Sequence, residues 1–155
     1  MSRANRLANH IERTVTGPMW HGPALHDVLK GVTSDQARAR PLPGAHSIWE
    51  LALHITAWCD IARSRLTGQA LGDPTPGQDF PEPGSVPHSG SDPAWDAAVE
   101  RLAESHRRLA ADVRALSDDQ LKATVKEDHT IFDMLHGVVE HGTYHGGQIA
   151  LLRKA

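Results

Sequence analysis

A single cysteine, Cys59, leaves this chain without an internal disulfide and without a cysteine-rich zinc site. Basic residues are not in excess: 16 Lys and Arg stand against 19 Asp and Glu. The resulting net charge of −3 gives no electrostatic footprint for DNA or RNA, so no nucleic-acid partner is expected. No apolar run approaches the roughly 20 residues of a membrane span, so no membrane partner is expected either. The first six residues are charged but lack the apolar stretch of a secretory leader, and a cytoplasmic location is expected. Strand-like alternation is also missing. What remains is a 155-residue chain, one ordinary domain over 1–155, with eleven histidines. That count matters only if some of them converge.

Four segments carry helical periodicity, which predicts an all-α fold. The first runs from about Arg3 to Thr16, is broken at Gly17-Pro18 and continues briefly from Pro23 to Leu29. The second opens on Ser47-Ile48-Trp49-Glu50, a capping box in which the serine hydroxyl and the Glu50 carboxylate each satisfy a free amide. It stops at Gly68, with an apolar face of Ile48, Leu51, Ala52, Ile55, Trp58, Ala62 and Leu66. Thr56, Asp60 and Arg63 fall opposite. The third is expected to begin with Asp92 as N-cap and Pro93 in the first turn. Its seam, Trp95, Val99, Leu102, His106, Leu109, Val113 and Leu116, has the alternating four-three spacing of a bundle helix. The fourth starts at the box-like Thr130-Ile131-Phe132-Asp133 and runs to the C-terminus.

Residues 68–92 form one long proline- and glycine-rich stretch, predicted to be irregular. A loop of that length can travel the height of a bundle. The expected architecture is therefore a four-helix bundle ordered up, down, down, up, with this crossover between the second and third helices. A faint repeat, Val28 to Gln36 against Asp112 to Gln120, puts a Ser/Thr-x-x-Gln turn after a helix in both halves.

His141 and His145 are four apart on one helix, so both rings project from one face, the spacing by which a helix offers two imidazoles to a metal. Both lie in the apolar stripe of the fourth helix, where an unpartnered polar ring costs about 1–3 kcal/mol. His54 sits on the buried half of the second helix. At about 1.5 Å per residue it lies roughly 10 Å from that helix's start, and His145 roughly 13 Å from the other's end. Antiparallel packing then brings the rings to similar height. Three neutral imidazoles suit zinc, with nickel, cobalt or iron compatible, and three protein ligands leave coordination positions open. Glu50 and Glu140 are candidate acceptors for the rings' second nitrogens.

Other residues have two readings each. His106 points into the core, as a satisfied core histidine or as a fourth ligand or pocket wall. Tyr144 either orients substrate or packs at an interface, and Gln148 is placed to hydrogen-bond a ligand. Gly142, Gly146 and Gly147 make sense if another helix comes close. Cys59 reads as a small core residue, and His129 and His136 as loop and surface residues. His46 precedes a cap near the mouth of the site.

The run His46-Ser47-Ile48-Trp49-Glu50-Leu51-Ala52-Leu53-His54-Ile55-Thr56-Ala57-Trp58, with His141-Gly142-Thr143-Tyr144-His145-Gly146-Gly147-Gln148-Ile149-Ala150-Leu151-Leu152, resembles the DinB/YfiT-like family of metal-dependent enzymes. Trp20-His21-Gly22-Pro23 and Asp79-Phe80-Pro81 are weaker matches. The resemblance implies a four-helix bundle, usually a homodimer, whose three-histidine metal site maps onto His54, His141 and His145. It also implies S-transfer of a low-molecular-weight thiol such as bacillithiol or mycothiol to an electrophilic small-molecule substrate. The residues themselves leave thiol transfer and metal-dependent hydrolysis open. They leave open too a non-catalytic metal-binding protein of a stress response. Among catalytic candidates the sequence names Tyr144, Gln148, His106 and Glu50.

Overall fold

The computed structural model describes residues 1–69, 72–83, 92–126 and 129–155. Four long helices dominate it: α1 (Arg3–Thr16), α4 (Ile48–Leu66), α6 (Asp92–Arg114) and α7 (Ile131–Leu152). Short helices α2 (Leu25–Leu29), α3 (Ser34–Arg38) and α5 (Pro76–Asp79) fill the connections. The fold is all-α, as the periodicity predicts. None of the described helices is long and apolar enough to cross a membrane.

The predicted caps form. Ser47 N–H donates to Glu50 Oε2 at 2.7 Å, and Glu50 N–H to Ser47 Oγ at 3.2 Å, which starts α4. Thr130 and Asp133 make the same reciprocal pair at the head of α7. Gly17 and Gly68 end α1 and α4 at positive φ, a region open to glycine at little cost. The faint repeat has a physical basis in its turns. Thr33 and Gln36 exchange side-chain and backbone hydrogen bonds, and Ser117 and Gln120 do likewise.

Contacts along the helices give their directions. Trp49 and Trp95, at the heads of α4 and α6, have ring centroids 5.3 Å apart, and Arg63 Nε reaches Asp112 Oδ2 near their tails at 2.6 Å. Those two helices therefore run side by side in one direction. Trp58 lies beside His141 and His54 beside His145, so α7 runs against α4. Arg114 at the end of α6 binds Glu12 and Asn9, while Asp118 beyond it accepts from the Ala4 amide near the start of α1. The end of α6 therefore packs along α1.

Buried apolar residues fall into two clusters. One gathers the first turns of α4 and α6, α2 and the last turns of α7 around Trp49, Ile55, Leu102 and Ile149. The other joins α1 to the later turns of α4 and α6 and the first half of α7 around Ile11, Leu109, Val113 and Leu135. Four histidines sit at the level between them: His54, His106, His141 and His145. A polar layer thus divides two apolar halves.

Four expectations are corrected. The stretch between α4 and α6 is not irregular throughout, because α5 lies within it; residues 70–71 and 84–91 are outside the described set. A strand pair exists, Thr124–Lys126 antiparallel to His129–Thr130, too short to show an alternation in sequence. Helix α6 begins at Asp92 itself. Finally, α4 has no wholly polar side: Thr56 is buried, and Asp60 and Arg63 face α6. The helix packs on α3, α6 and α7 at once, so even its polar residues meet protein.

Candidate metal centre

The sequence-predicted triad converges. His54 comes from the second turn of α4, and His141 and His145 from adjacent turns of α7. One ligand nitrogen from each lies within 4.8 Å of the others, so the group can hold a metal ion. Four-residue spacing puts the two α7 rings 4.4 Å apart, and antiparallel packing sets the His54 ring 4.7 Å from each.

Two of the rings have their tautomers set by acceptors. His54 Nδ1 donates to the backbone carbonyl of Asp79 at 2.6 Å. A carbonyl can only accept, so the proton is on Nδ1 and the Nε2 lone pair faces inward. His145 Nδ1 donates to Gln148 Oε1 at 2.5 Å, and Gln148 Nε2 in turn reaches Tyr144 Oη at 3.4 Å. His141 Nε2 and His54 Nε2 approach to 2.9 Å. A tetrahedral zinc with bonds of about 2.0–2.1 Å needs nitrogens about 3.3 Å apart, so small ring rotations suffice. The donor set fits a divalent transition ion.

The surroundings of the two α7 rings favour the neutral form that a ligand must have. Burial, then the neighbouring His145 and His54, pushes His141 down to about 3. Burial also lowers His145, against the hydrogen bond to Gln148. The glutamates expected to support the rings do not. Burial raises Glu50, but the Ser47 hydrogen bonds and Arg40 outweigh it and hold the carboxylate ionised in its cap. Glu140 is exposed. Their place is taken by Asp79 and Gln148.

His106 is outside the triad. It is fully buried, its Nδ1 donates to Leu102 O at 2.9 Å, and its Nε2 has no partner. Cys59 is buried and its thiol is pushed up to about 12, chiefly by burial, which removes it as a nucleophile. Gly142 and Gly146 are where α7 meets α2 and, at Gly142, α1; Gly147 meets nothing.

The weakly matching segment Asp79-Phe80-Pro81 packs directly on His54. Phe80 lies flat on His54, with centroids 3.9 Å apart, and His46 stacks on Phe80 at the same distance. Asp79 Oδ1 accepts from Trp58 Nε1 at 2.7 Å, which anchors the α5 end over α4. The signal for α5 was present in Thr75-Pro76-Gly77-Gln78, another Thr-x-x-Gln start, where Thr75 N–H donates to Gln78 Oε1 at 2.9 Å.

A cavity of about 620 Å³ opens beside the three histidines. Trp58, Ala62, Met134 and Val138 give it apolar walls, and the strand pair contributes Val125, Lys126 and His129. Tyr144, largely exposed, is at its edge with its ring 4.9 Å from His145. Such a site can activate a nucleophile and shelter a small molecule beside it.

The DinB superfamily model matches residues 20–149, and the chain belongs to that superfamily. No curated protein and no solved structure matches it.

Proposed function

We propose that this DinB-superfamily chain is an enzyme whose His54, His141 and His145 hold one divalent transition metal through their Nε2 atoms, zinc first and nickel, cobalt or iron as alternatives. Its reaction is transfer of a low-molecular-weight thiol, of the bacillithiol or mycothiol kind, to an electrophilic small molecule. The observation that carries this reading is the triad's position at the wall of the 620 Å³ cavity, where a cosubstrate can reach it. A divalent ion held there lowers the pKa of a thiol or water, so that a nucleophile exists at neutral pH.

The chain's own residues supply the rest. Asp79 and Gln148 fix the proton on Nδ1 of His54 and His145 and aim both lone pairs at one point. Phe80 covers the outer face of His54. Trp58, Met134 and Val138 exclude water from one side of the cavity, which strengthens every charge interaction within it. Tyr144 stands where it can orient a bound molecule. A purely structural ion would want a fourth protein ligand, and the metal-capable group among the described residues has three. With water in place of the thiol the same site would be a hydrolase. An assay of the metal-loaded protein with a panel of thiols and a general electrophile separates the two. Electrophile loss that depends on the thiol supports transfer, and loss at the same rate without thiol supports hydrolysis.

A further inference from the structure

Along α4 the cavity is lined by His54, Trp58, Ala62 and Arg65, one residue per turn on a single face. Arg65 is the unexplained member. Its side chain is only 11% exposed, yet its Nε–H has no acceptor. A buried guanidinium N–H without a partner is rare and marks a place where an acceptor belongs. Its carbon stands 5.8 Å from the Trp58 ring, and that ring is 5.9 Å from His141. A molecule lying on Trp58 therefore reaches the histidines at one end and the guanidinium at the other.

A second cation joins it. Lys126, from the strand pair, lines the same cavity. The protein itself shows what fits these two groups. The carboxylate of Asp73 binds Lys126 Nζ and lies 3.8 Å from Arg65 Nη2, bridging them from the solvent side. Arg65 Nη2 also donates to Gly72 O at 3.1 Å, which leaves Nε directed elsewhere.

We infer that the small molecule accepted by this cavity carries a carboxylate, which Arg65 and Lys126 hold while its other end reaches the histidines. This names the substrate class of the proposed site and rests on that reading only for the thiol end. An arginine offers a carboxylate two parallel donors, and the apolar walls of Trp58, Ala62 and Met134 lie beside it.

The test uses 6-mercaptohexanoate and 6-mercaptohexanol, which differ only at the end away from the thiol, titrated calorimetrically into zinc-loaded protein. Hexanoate is titrated into chelated protein, where no ion competes for the acid. The acid thiol should bind about tenfold more tightly than the alcohol, the worth of a charge-assisted hydrogen bond. In Arg65→Gln, and separately in Lys126→Gln, that ratio should fall toward one, and hexanoate binding should weaken. Equal affinities in the wild type would overturn the inference and leave the thiol reading intact. So would an acid preference that survives both substitutions, because the carboxylate would then lie on the ion. If only hexanoate binds, in an Arg65-dependent way, the carboxylate site stands and the thiol reading fails. If no probe binds, both fail.

Discussion

His54 and Asp79 meet at two points: the ring's Nδ1 donates to the Asp79 carbonyl at 2.6 Å, and the Asp79 carboxylate lies 3.3 Å from the same nitrogen. That carboxylate accepts a hydrogen bond from Trp58 Nε1, which ties it to the helix that carries His54. The last residue of α5 thus holds the ring in the tautomer that a metal needs. Asp79→Ala keeps the carbonyl but frees α5 from Trp58. Metal affinity should fall about tenfold, at the mild end of such losses. Competition with a chromophoric chelator measures it, and unchanged affinity would remove Asp79 from the account.

Gln148 does for His145 what Asp79 does for His54. Gln148→Leu removes the acceptor of Nδ1–H and leaves the tautomer unset. A loss of about 10–100-fold in metal affinity is expected, with little change in the melting of the metal-free protein. Gln148→Glu, which restores an acceptor, should recover most of it. Equal affinity in the leucine and glutamate variants would contradict this.

Acidity should act on the metal-free protein in a definite direction. Burial lowers His141, to about 3, and also His145 and His106, so the folded state keeps these rings neutral where the unfolded chain protonates them near 6.5. The unfolded state then binds more protons below that value, and stability falls as pH drops from about 6.5. The slope is at most about 1.4 kcal/mol per pH unit for each ring that differs fully. Bound metal adds stability at pH 7.5, and protons compete it away toward pH 5. Melts with and without chelator should diverge at pH 7.5 and converge at pH 5. Coincident curves at pH 7.5 would show that the ion contributes nothing to the fold.

Two glycines of α7 should respond oppositely to one substitution. A Cβ on Gly142 would stand 2.8 Å from Thr14 Cγ2, a short branched side chain with little freedom, whereas a Cβ on Gly147 meets nothing within 4 Å. Gly142→Ala should destabilise by about 1–2 kcal/mol, because overpacking outweighs the gain in helix propensity. Gly147→Ala should stabilise by about 0.5–1 kcal/mol. Urea titrations of the two variants decide it, and two shifts of the same sign would contradict the packing described.

The bundle and the triad were legible because they depend on local rules. Ser47 with Glu50 and Thr130 with Asp133 announce helix starts through chemistry confined to four residues. His141 and His145 share a face by the pitch of the helix. The supports of the site were not legible, since Asp79 meets His54 across 25 positions and only the folded chain brings them together. Glu50 was a reasonable candidate by distance along α4, but its cap and Arg40 occupy it. Thr56 looked solvent-facing because periodicity assumes one buried face, and α4 is covered on several. Three-residue strands such as Thr124–Lys126 carry too little pattern to be read at all.

The central claim, one ion held by three histidines, is tested most directly by metal analysis of the purified wild type beside His54→Ala, His141→Ala, His145→Ala and His129→Ala. His129 lines the same cavity but stands outside the triad, so its variant controls for surface binding. The wild type and His129→Ala should each carry close to one transition-metal ion per chain, and the three triad variants should lose most of it. Equal metal content in all five proteins would contradict the three-histidine centre.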